Sequence, residues 1–230
     1  MEARLTGISR QETLRYLGYP GGPLPDDVLE QLETSEQELF RFAVPRVVWR
    51  LFDRDADGSL TGTDFTPAGA DIREFLKDCD RVILMAATLG METENLLRRT
   101  QARDMAKALI LDAAASAAVE NVCDNLCADL AEALAPQYLT DRFSPGYGDL
   151  PLSQQKELFR LLDVTRRIGV SLSESGLMVP QKSVTALIGV SPEPASPGRG
   201  SPKAGKCGSC AAAESCPYAD KNTGYGMCGS

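Results

Sequence analysis

The chain predicts an α+β fold: mixed helices, a mainly antiparallel sheet, one long alanine-rich helix and a flexible cysteine-containing tail. Three observations predict it. Helical periodicity runs through residues 9–42 and again through residues 92–134. Apolar runs rich in β-branched or aromatic residues occupy 44–52, 81–89 and 183–190. The two kinds of segment mix without the strict alternation that a parallel α/β fold requires.

Each element has its own local reason. Residues 9–18 read as a short helix with Ser9 as N-cap. Pro25-Asp26-Asp27 opens a longer helix to about Phe42, with Val28, Leu29, Leu32, Leu39 and Phe42 at its apolar positions. Residues 44–52 read as a strand, Ala56-Asp57-Gly58 as a turn and residues 59–65 as the returning strand. Residues 71–78 form a short helix, and RVILMAATL at 81–89 is the run of a buried strand closed by Gly90. Along 92–134, Leu109, Ala113 and Ala117 make a small-residue face on which neighbours pack closely. Residues 153–163 continue as a helix, and 169–175 and 183–190 as strands.

The chain therefore divides into an N-terminal helical segment (1–43), a body (44–190), a linker (191–206) and a tail (207–230). The linker holds four prolines and three glycines and cannot bury enough apolar surface to order itself.

Composition excludes several functions. Of 230 residues, 43% are hydrophobic and 24% charged, ordinary for a soluble globular protein. The net charge of -8 argues against nucleic acid and anionic membrane as partners. The N-terminus has no apolar signal core and no run approaches the roughly 18 apolar residues that span a bilayer, which implies a cytoplasmic protein. Histidine is absent, so Ser-His-Asp and Cys-His catalysis are excluded, and any metal site must use other ligands.

The most informative segment is RFSPGYGDLPLSQQKELFRLLDVTRRIGVSLSESGLMVPQKSVTALIGV, residues 142–190. It opens with Arg142-x-x-x-Gly146-Tyr147, with Pro145 and Gly148 alongside. Such a segment is poor helix interior, and its backbone can approach a ligand. Arginine offers a planar fork of donors suited to a carboxylate or phosphate. The order RxxxGY, helix, IG-strand, SES, MVP, SV-strand resembles the activation domain of cobalamin-dependent methionine synthase. That resemblance implies binding of S-adenosylmethionine, with Arg142 and Tyr147 in contact with it and Ser144, Pro145 and Gly146 lending backbone. It implies reactivation of the synthase by reductive methylation of cob(II)alamin, with the synthase's cobalamin domain as partner and a flavodoxin or ferredoxin as electron donor. The chain departs from the family in two respects. A linker begins where the family continues into a tyrosine-containing segment, and the family's N-terminal aspartate has no evident counterpart.

Asp112, Ser116 and Glu120 are spaced i, i+4, i+8, so one helix face carries all three. Either this is a solvated face, or it is a pocket wall whose Glu120 meets the sulfonium or ammonium charge. Cys123 and Cys127 follow as small core residues.

The tail carries Cys207-x2-Cys210-x5-Cys216-x11-Cys228, with Pro217 after the third cysteine. Four thiolates at this spacing suit an iron–sulfur cluster or tetrahedral zinc, and the spacing leaves the metal open. The alternative function is a metal-binding redox or assembly protein acting on another corrinoid methyltransferase, with the tail as its working part. Residues 53–64 fit an EF-hand template at positions one, three, five, six and eight, but have Asp at the twelfth and a strand-like run before them, so a turn is expected and calcium binding is not.

Overall fold

In a computed structural model, which describes residues 2–19 and 21–194, the chain forms a four-stranded antiparallel sheet between two layers of helices. The elements run α1 (Arg10–Tyr16), α2 (Asp26–Phe42), β1 (Arg46–Asp53), α3 (Ala70–Phe75), β2 (Arg81–Thr88), α4 (Met91–Gln101) and α5 (Met105–Ala133). They continue with β3 (Tyr138–Leu139), a 3-10 turn (Leu152–Gln154), α6 (Gln155–Leu162), α7 (Val164–Ile168), β4 (Ser171–Leu172), β5 (Met178–Val179) and β6 (Ser183–Ser191). The fold is α+β, as the sequence predicts.

The sheet order is β1-β2-β6-β3. Its centre, β2, pairs with β1 from Arg46↔Thr88 to Asp53↔Arg81 and with β6 from Arg81↔Val190 to Thr88↔Ser183. Alternation then sorts the side chains into two cores. Ile83, Met85 and Ala87 face α5 with Ala186, Ile188 and Val190, while Val82, Leu84 and Ala86 face the α3 and α6 side with Leu187. Covering both faces explains why β2 reads as an unbroken apolar run although it is antiparallel.

Helix α5 lies along the first face. Asp104 caps it, its carboxylate accepting from the Lys107 N–H at 3.0 Å. At 1.5 Å per residue its 29 residues span about 43 Å. Alanines let the sheet, α1, α2 and α4 approach it closely, and Ala113 and Ala117 are buried. Leu109, expected on the same face, is 61% exposed instead, because the helix turns it toward solvent. Helices α1 and α2 also pack against α5, and Leu32 and Leu39 are buried beneath them.

Two local expectations fail. The returning strand at 59–65 does not form: Leu60 makes one isolated bridge to Arg54, and the partner of β1 is β2. The segment folds on itself, Leu60 N–H donating to the Phe65 carbonyl at 2.9 Å, and buries both side chains. The strand expected over 169–175 shrinks to Ser171–Leu172, paired with Met178–Val179, after the short helix α7, which the pattern did not reveal. Asp163 in the left-handed region ends α6, and Gly169 ends α7.

The loop after β1 holds its carboxylates with its own hydroxyls. Asp55 accepts from Thr61 Oγ1 at 2.8 Å, and Asp57 accepts from the Ser59 N–H at 2.9 Å and from its hydroxyl at 2.6 Å. A strand enters the loop where an EF-hand needs a helix. Millimolar calcium is therefore expected to leave the melting temperature unchanged. A calcium-dependent rise abolished in Asp55→Ala would establish a working cation loop.

The linker was expected from Ser191, which here is the last residue of β6. The cysteines of the tail, Cys207, Cys210, Cys216 and Cys228, lie outside the described residues. Among the described residues no helix is long and apolar enough to cross a membrane, and no group of three or more Cys, Asp or Glu side chains could hold a metal ion.

Candidate functional site

The loop from β3 to the 3-10 turn is placed by the sheet edge. Thr140 N–H donates to the Gly189 carbonyl at 2.9 Å, and Phe143 and Leu187 exchange backbone bonds of 2.9 and 2.8 Å. These ties set the alternation. Phe143 turns to the α3 side, its ring 5.1 Å from that of Phe75, and Arg142 turns the other way, to α5.

Past Arg142 the loop closes on three backbone bonds. Tyr147 N–H donates to Ser144 O at 3.1 Å, Gly146 N–H to Leu150 O at 2.9 Å, and Leu150 N–H to Tyr147 O at 3.0 Å. Gly146 has φ +96°, where a side chain is strained. Pro145 is buried and Tyr147 is 52% exposed. Asp149 then anchors the loop to α3, whose N-cap Gly69 offers no side chain: its carboxylate accepts from the Ala70 and Asp71 N–H groups.

The guanidinium of Arg142 spans two turns of α5. Nη2 meets Glu120 Oε2 at 2.6 Å and Nη1 meets Asp124 Oδ1 at 2.7 Å, with Cys127 Sγ 3.6 Å from Nη1. Burial disfavours its charge. In the alkaline range where Arg142 would titrate, the ionised Cys123 and Cys127 and the Glu120 and Asp124 carboxylates outweigh that, so Arg142 is held above its usual range and stays charged. Burial pushes the Cys123 and Cys127 thiols up, so both stay protonated at neutral pH.

The stripe Asp112, Ser116, Glu120 is partly exposed, yet each of its members has a partner. Lys182, just before β6 and mostly buried, sits 2.9 Å from Asp112 Oδ1 and donates to Ser116 Oγ at 2.8 Å. One face of α5 thus meets two cations, Lys182 and Arg142. Of the residues singled out in the sequence, the structure brings Arg142 and Glu120 into direct contact, with Ser144, Pro145, Gly146 and Tyr147 on the same loop. Sequence reasoning missed Asp124 and Lys182. Asp124 was within reach, since it stands i+4 from Glu120, whereas nothing local marks Lys182.

The structure thus defines an α+β domain with a row of paired acids and cations along one face of its long helix. The family model for the activation domain of vitamin B12 dependent methionine synthase matches residues 72–196, more than half of the chain, and the chain belongs to that family. No curated protein sequence matches it. Among solved structures, the MetH reactivation domain bound to AdoHcy is similar, with a TM-score of 0.55 and 17% identity over 85% of this chain and 82% of that one.

Proposed function

We propose that this chain reactivates a cobalamin-dependent methionine synthase by binding S-adenosylmethionine and presenting its methyl group to the synthase's cobalamin. The observation that carries this reading is the contact of Arg142 with Glu120 on a loop held to the sheet edge. An amino acid's carboxylate suits an arginine and its ammonium suits a glutamate. Glu120 and Asp124 hold the Arg142 fork when no ligand is bound, and the ligand carboxylate takes over part of that fork. Ser144, Pro145, Gly146 and Tyr147 supply the loop surface beside it.

The reaction implied is a reductive methylation: one electron, from a flavodoxin or ferredoxin, and the methyl of S-adenosylmethionine convert cob(II)alamin to methylcobalamin and leave S-adenosylhomocysteine. The cobalt is the nucleophile, so the chain needs no general base, and its contribution is to hold the donor in line. The absence of histidine fits that division of labour. Exposed Tyr147, Leu152 and Leu177 lie about the loop and supply apolar surface for the cobalamin domain to cover.

Calorimetric titration tests the reading. S-adenosylmethionine is expected to bind with one-to-one stoichiometry, and the partner's cobalamin domain to associate with the complex. No heat at millimolar S-adenosylmethionine would end the proposal. We assign the tail a separate part: Cys207, Cys210, Cys216 and Cys228 hold an iron–sulfur cluster or zinc. Deleting residues 207–230 should then leave S-adenosylmethionine affinity intact, remove the bound metal and slow electron-dependent reactivation. Equal metal content in full-length and truncated proteins, prepared anaerobically, would refute the metal assignment.

A further inference from the structure

The loop that carries Arg142 and Tyr147 is held at both ends. Upstream, the Thr140–Gly189 and Phe143–Leu187 backbone bonds tie it to β6. Downstream, it is tied to residues 66–71, which lead into α3 and lie just before the span matched by the family.

Two side chains make the downstream tie. Gln154 Oε1 accepts from the Ala68 N–H at 2.9 Å, and its Nε2 donates to the Thr66 carbonyl at 3.2 Å. The Asp149 carboxylate accepts from the Ala70 and Asp71 N–H groups, the second at 3.1 Å. Those two residues open α3, where N–H groups have no partner within the helix. Glycines allow the close approach from both sides: a Cβ on Gly69 would collide with Asp149 Oδ1, and one on Gly148 with Asp71 Oδ2.

Between the two ties, Gly146, Tyr147, Gly148 and Asp149 are exposed. Apolar burial therefore does not hold this stretch. Leu150, next in the chain, is buried in the second core and fixes where the stretch ends. How it lies before that point is set by hydrogen bonds open to water, each of which stabilises modestly.

We propose that Asp149 is a positioning residue for S-adenosylmethionine. By holding residues 146–148 against the start of α3, it keeps the loop in the form that receives the ligand, without touching the ligand itself. This deepens the reading above and rests on it. Tie and ligand are then linked: as far as the tie favours binding, binding favours the tie. The competing account makes Asp149 a cap that stabilises α3 and does nothing for the ligand.

Hydrogen exchange at the Ala70 and Asp71 amides of the full chain, with and without saturating S-adenosylmethionine, separates the two. In the wild type the ligand is expected to slow exchange at both amides by about three- to tenfold. Asp149→Ala should weaken S-adenosylmethionine by a similar factor, the span of a lost helix cap, and should abolish the effect of the ligand on these amides. Asp149→Asn keeps an acceptor oxygen and should restore most of the affinity. Exchange at Ala70 and Asp71 that ignores the ligand, in a wild type that binds it, overturns the inference and leaves the site reading standing. That measurement needs no variant to fold. A folded Asp149→Ala chain with wild-type affinity overturns it equally. A wild-type chain that does not bind S-adenosylmethionine overturns the site reading and this inference together.

Discussion

Arg142→Ala is expected to lower affinity for S-adenosylmethionine by about ten- to a hundredfold while leaving the fold intact. The magnitude follows from the loss of charge-assisted hydrogen bonds, each worth roughly 1.5–3 kcal/mol. The fold survives because the backbone ties flanking Arg142, from Thr140 to Gly189 and between Phe143 and Leu187, do not involve its side chain. What the variant does leave is Glu120 beside Asp124, like charges one helical turn apart, a penalty of a few tenths of a kcal/mol. Arg142→Lys should recover little, since one ammonium cannot reach two turns of α5 as the fork does. Asp124→Asn should move the other way and tighten binding a few-fold, because Asp124 competes with the ligand carboxylate for Nη1. Calorimetry with a parallel thermal melt checks all three, and a folded Arg142→Ala with wild-type affinity would remove this loop from the site.

Gly189→Ala should cost about 1–3 kcal/mol of stability, a fall in melting temperature of roughly 2–12 °C for a chain of this size. Gly189 stands in β6 opposite Val82, with its Cα against the second core. A Cβ there would lie 2.4 Å from Cys79 Sγ and 3.0 Å from both Leu76 Cδ2 and Thr140 Cγ2. Thr140 also accepts the Gly189 N–H through its hydroxyl at 2.8 Å, so pushing it away breaks the tie that precedes Arg142. Adding Cys79→Ala removes the nearest atom and should return part of the loss. A double-mutant cycle measures that coupling; strictly additive melting temperatures would show that the sulfur is not what the new methyl meets.

Much of the candidate site, as proposed above, rests on residues that could be singled out locally. Arg142, Gly146 and Tyr147 were marked by an arginine fork among helix-breaking residues, and Glu120 by its spacing from Asp112 and Ser116. The same spacing could have found Asp124. Lys182 could not have been found that way: it meets Asp112 only because β6 runs beside α5, 70 residues later in the chain than the acid it neutralises. The returning strand at 59–65 was misread because a turn after a strand looks the same locally whether or not a hairpin closes. Helix α7 escaped because five residues between Asp163 and Gly169 are too few for a period to show.

By itself, the sequence determined the repertoire. Residue types, periods and turn residues settle that helices and antiparallel strands will form, that no imidazole will act, and that an arginine sits in a loop too irregular to be helix. Those are properties of neighbouring residues, governed by backbone sterics and side-chain spacing. Tertiary structure alone decided which strand β1 pairs with, which face of α5 meets cations, and that the Arg142 fork closes on Glu120 and Asp124. Such pairings depend on burial summed over elements far apart in the chain, and β2 is the better partner for β1 because it completes a sheet with both faces covered.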